Sequence, residues 1–126
     1  MSASATLPLA DVPRPLLAKL RSLPGTRADV YVLFQEDEYE TAFGDGRFLY
    51  PCAAFLDERA ATEDLERRRG EQEAARRMDP HTTGYRYSLK PIEVVRDEAR
   101  NQLVADLQFD KDERLTLQDL VRLLKP

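Results

Sequence analysis

Residues 96–109, RDEARNQLVADLQF, decide what this chain builds. If the stretch is helical, Val95, Ala99, Leu103 and Leu107 align on one face, because residues four apart stack along a helix. Its second half, QLVADLQF, reads equally as the return strand of a hairpin with the segment before it. Periodicity alone leaves both readings open. Taken as a helix, it completes the element order α-β-β-α-β-α-α. That order predicts an α+β fold with a small three-stranded, mostly antiparallel sheet and helices packed on one face.

Upstream of it, YRYSLKPIEVV (85–95) reads as a strand, with Tyr85, Tyr87 and Leu89 on one face and Ile92, Val94 and Val95 continuing past Pro91. The clearest strand is DVYVLFQ (29–35). Val30, Val32 and Phe34 face one way and Tyr31, Leu33 and Gln35 the other, so apolar groups on both faces predict a central position. RFLYPCAAF (47–55) is a second extended segment, and Pro51, which cannot donate to a ladder, predicts an edge or a bulge there. Between these two strands, Glu36, Asp37, Glu38 and Glu40 precede Gly44-Asp45-Gly46 and read as a solvated hairpin loop.

The helices are marked by their ends. Leu16, Leu17, Leu20 and Leu23 recur at helical spacing behind Pro15, until Leu23-Pro24-Gly25 stops the run. Asp57 is placed to cap a long charged helix over 58–78, weakened at Gly70 by about 1 kcal/mol relative to alanine. TLQDLVRLLK (116–125) is a short helix capped by Thr116, with Asp119 three residues on. Residues 1–13 are small, polar and proline-punctuated and predict a flexible arm, leaving 14–126 as a single α+β domain.

The chain has 126 residues, within the roughly 100–150 usual for one domain, and it is 33% charged with a formal net charge of −4. That balance disfavours nucleic acid and anionic lipid as partners. Its one cysteine, Cys52, sits among apolar neighbours and reads as a buried small hydrophobe; with one histidine beside it, a thiolate metal cluster has too few ligands. No run approaches the ~20 apolar residues of a membrane span, and the proline-broken N-terminus lacks a secretory pattern. A cytoplasmic protein without cofactor is expected.

Three places in the sequence invite chemistry. QFDKDERLTLQD (108–119) resembles a calcium loop of the helix–loop–helix type, which needs oxygen ligands at positions one, three and five, glycine at six and a bidentate glutamate at about position twelve. Starting at Gln108 gives Asp110, Asp112 and Asp119 as ligands, but the first carboxylate is missing and Glu113 replaces the glycine. Starting at Asp110 puts Arg114 and Leu115 at positions five and six and Val121 last. Both frames fail, and a helix cap at Thr116 explains the same letters.

His81, with Tyr85, Arg86 and Tyr87 after it, is the one constellation from which an enzyme or ligand-binding site can be drawn, since an imidazole near hydroxyls and acids serves acid–base chemistry. The acidic run Glu36, Asp37, Glu38 and Glu40 is the remaining candidate, and it suits a partner protein with a basic surface. The strand–strand–helix–strand order is similar to that of many small bacterial and phage-borne modules, and no motif ties it to one family. By elimination the expectation is an acidic, non-enzymatic interaction module of regulatory, adaptor or immunity and antitoxin-like kind. The alternatives are a small enzyme built on His81 and its tyrosines, or a degenerate calcium loop.

Overall fold

A computed structural model describes residues 4–41, 44–80, 85–107 and 115–124. In chain order the described residues form strand β1 (Ser4–Pro8), a 3-10 turn (Leu9–Asp11), helix α1 (Arg14–Ser22), strands β2 (Arg27–Thr41) and β3 (Gly44–Phe55), helix α2 (Glu58–Met78), strands β4 (Tyr85–Asp97) and β5 (Gln102–Asp106), and helix α3 (Leu117–Leu123). The sheet is five-stranded, in the order β1-β5-β4-β2-β3, and every pairing is antiparallel.

This corrects the expected three-stranded sheet in three ways. First, residues 102–106 are a strand, not part of a helix. Leu103 and Ala105 are buried while Gln102, Val104 and Asp106 are not, a period of two set by pairing with β4 on one side and β1 on the other. The turn that makes the hairpin places Asn101 in the left-handed region at φ 52°, which asparagine tolerates better than most residues.

Second, residues 4–8 are not left as part of an arm. They pair with β5 from Ser4↔Asp106 to Pro8↔Gln102, and Leu7, Leu9 and Val12 enter the core. Ser-Ala-Thr-Leu-Pro has weak strand propensity, so the pairing and the burial of Leu7 impose the conformation.

Third, helices occupy both faces. Val30, Val32 and Phe34 of β2, Ile92 and Val94 of β4 and Leu103 and Ala105 of β5 share one core with Leu16 and Leu20 of α1 and Leu117, Leu120 and Val121 of α3. Leu33, Ala61 and Leu65 are buried outside that cluster, on the opposite face, where α2 lies over β2, β3 and β4.

Besides Pro8 at the end of β1, two prolines lie inside strands and are accommodated in different ways. Pro51 lies in β3 at the sheet edge, and the register slips between Leu33 and Phe34, so that Cys52 is the extra residue of a bulge. Pro91 is in β4, an inner strand. The amide of Arg96 donates to Thr26 O (2.8 Å), which turns the even-numbered β4 amides toward β2. The Pro91 nitrogen therefore faces the β5 side, and the recorded β5 pairing begins only at Val94.

Candidate interaction surface

The two neighbours of β2 pair with it over different described lengths. β4 pairs with it as far as Asp37↔Tyr85, whereas β3 continues to Thr41↔Gly44. The acidic run is therefore strand and not hairpin loop: Gly44 and Gly46, read as the turn, are paired with Thr41 and Tyr39. Among the described residues β3 alone is paired with β2 beyond Asp37, and this β2–β3 ribbon carries Glu38 and Glu40.

The ladder also joins two candidate groups that stand far apart in sequence. Asp37 is opposite Tyr85, Glu36 opposite Arg86 and Gln35 opposite Tyr87. Cross-strand neighbours share a face, so Tyr87, Gln35 and Tyr50 form one row on the α2 side, and Arg86, Glu36 and Leu49 form the next row on the other side. Tyr50 is 47% exposed, and the Tyr87 carbonyl accepts from Arg69 Nη2 of α2 (3.1 Å). His81, Asp110 and Asp112 lie outside the described residues. Asp119 is in α3: its amide donates to Thr116 Oγ1 (3.1 Å), completing the cap, while its carboxylate accepts from Arg122 (2.8 Å) instead of reaching back. Among the described residues no three His, Cys, Asp or Glu side chains converge as a metal site.

Cys52 is half-buried beneath α2 and its thiol donates to Leu33 O (3.3 Å). Burial pushes the thiol's pKa up; the Arg68 guanidinium opposes that shift and Asp64 adds to it. The result is a protonated, weakly nucleophilic group. Asp64 itself is pushed up by burial, but the guanidiniums of Arg68 (2.7 Å) and Arg67 outweigh this and hold it below the usual carboxylate range. These two ion pairs sit within one helix and stiffen α2 locally.

A concavity that the sequence reading missed lies on the α2 side of the sheet at its β4–β5–β1 end. It is an open hollow of about 550 Å³ whose lining includes Thr6, Val95 and Val104. Reading 96–109 as a helix removed the strand that carries Val104. The alternation Leu103/Ala105 in, Val104 out was the available signal.

No helix among the described residues is long and apolar enough to cross a membrane. No family model, curated protein or solved structure matches this chain.

Proposed function

We propose that this chain is a non-enzymatic protein-interaction module, of regulatory, adaptor or immunity and antitoxin-like kind, whose acidic ribbon docks on a cationic surface of a cytoplasmic partner protein. The supporting observation is that, among the described residues, the β2–β3 pairing runs on past the last β2–β4 pair, Asp37↔Tyr85, and carries the acidic run. Residues 37–48 contain Asp37, Glu38, Glu40 and Asp45 against one basic residue, Arg47. A run of carboxylates along one pair of strands offers a cationic partner charge complementarity, which favours encounter and register. Tyr50 and Tyr87, in the row next to the ribbon, supply amphipathic contact area of the kind enriched at interfaces. The net charge of −4 sets this chain against nucleic acid as the partner.

The test is affinity capture from the native cell with the wild-type chain and a Glu38→Lys/Glu40→Lys variant of unchanged circular dichroism. The wild type retains a basic protein at low salt and releases it as ionic strength rises toward about 0.5 M, where screening shortens to a few ångströms. The variant retains none of it. Identical recovery by both proteins, or no specific protein with either, contradicts the reading.

A further inference from the structure

The two faces of the sheet are covered unequally. On the core face α1 and α3 both pack against the strands, whereas on the other face α2 alone of the described elements is seated, over β2, β3 and β4. Strands are about 4.8 Å apart and a helix with its side chains is about 10–12 Å across, so one helix covers two or three strands. Among the described residues no helix lies over β5 and β1 on that face.

At that place Thr6, Val104 and Val95 stand side by side in one cross-strand row, and Arg27 of β2 continues it. Val95 and Val104 are half-buried, β-branched and apolar, beneath the open hollow of about 550 Å³. The neighbouring row is acidic. Asp29 is directly opposite Glu93, and Asp106 follows Ala105, the partner of Val94. Like charges facing each other across a ladder are unfavourable in the free protein. Arg27 reaches Glu93 (3.5 Å) and Arg100 reaches Asp97 (3.9 Å). Counting Asp29, Glu93, Asp97 and Asp106 against Arg27, Arg96 and Arg100, the rim carries a formal charge of −1.

We propose that this half-covered face is a docking site for an amphipathic helix of a partner protein, its apolar stripe on Val95, Val104 and the Thr6 methyl and its Lys- or Arg-bearing flank over Asp29, Glu93 and Asp106. The charge selects the occupant. A second copy brought face to face sets acid rim against acid rim, and anionic lipid or nucleic acid is repelled by the same carboxylates. A basic amphipathic helix gains both burial and charge pairing, as in other helix-in-groove recognition. The site is separate from the acidic ribbon and does not depend on it.

The experiment is an amide chemical-shift titration of the full chain with two synthetic helical peptides of about 18 residues sharing one Leu/Ala stripe, one flanked by Lys and the other by Glu. The Lys-flanked peptide shifts the amides of Thr6, Val95 and Val104 saturably, and the Glu-flanked peptide binds at least about tenfold more weakly. Asp29→Lys/Asp106→Lys, at two exposed positions, weakens the Lys-flanked peptide by a similar factor and leaves the other resonances in place. Glu38→Lys/Glu40→Lys leaves this binding unchanged, which separates it from the ribbon. Equal binding of both peptides, shifts confined to other surfaces, or no shift with either peptide overturns the proposal.

Discussion

Glu98 ties together three parts of the chain. Its carboxylate accepts from Arg21 of α1 through both oxygens (3.0 and 3.1 Å) and from Arg96 of β4 (2.7 Å), while Arg96 also donates to the Gly25 carbonyl (3.0 Å). The hydrogen bonds from Arg21 and then Arg96 lower the Glu98 pKa to about 2 from its ordinary 4.5. Because the folded value lies below the unfolded one, the stabilisation is present above pH 4.5 and is lost as pH falls toward 2. Urea titrations should show wild type more stable than Glu98→Gln at neutral pH and the two converging near pH 2. A pH-independent difference contradicts the clamp.

The adjoining turn gives a second residue-scale prediction. Asn101 at φ 52° should accept glycine at little cost, whereas Asn101→Val should lose roughly 1–2 kcal/mol in the same titrations. Neither feature was legible in the sequence. Arg21 and Glu98 are 77 positions apart, and no local pattern marks their meeting.

Helix ends, by contrast, were legible, because a cap is a local arrangement of donor and acceptor. Asp57 accepts from the Arg59 amide and Thr116 from the Asp119 amide, as their positions ahead of apolar runs predict. Thr116→Ala should therefore destabilise by about 1 kcal/mol. α2 passes through Gly70 unbroken, and a Cβ there meets nothing within 4 Å, so Gly70→Ala should stabilise by about 1 kcal/mol in thermal or urea unfolding.

β1 and β5 were the elements the letters could not decide. A five-residue strand offers only two buried positions, and Leu103 with Ala105 competes with the helical spacing of Leu103 with Leu107. The tie is broken by pairing with residues near the N-terminus, about a hundred positions away, whose own composition argues against a strand. The long β2 was legible as far as Gln35 through its two-faced apolar pattern. Its acidic half was not, since carboxylates in a ribbon and carboxylates in a loop look alike in sequence.

At the scale of the molecule, the pieces form three layers: α1 and α3, the sheet, and α2. Both outer strands carry features that discourage further edge pairing: Pro8 ends β1, and β3 has Pro51 next to the Cys52 bulge. Among the described residues the valine row beside α2 stands open and the β2–β3 ribbon carrying the acidic run continues past the last β4 pair, and both readings of function start from those two places. The candidate site was partly legible. The acidic run and Tyr85–Tyr87 were singled out separately, but their adjacency exists only through the β2–β4 register.

Everything at the β5 end, including the valine row, depends on β1 being a paired outer strand, and amide hydrogen exchange tests that most directly. Leu9 N donates to Asn101 O (2.8 Å), so by the β1–β5 register the Leu7 amide also points at β5 while the Thr6 amide points outward. Resolved by residue at neutral pH, Leu7 and Leu9 should exchange slowly and Thr6 rapidly. Equal, unprotected exchange at all three would contradict the five-stranded sheet.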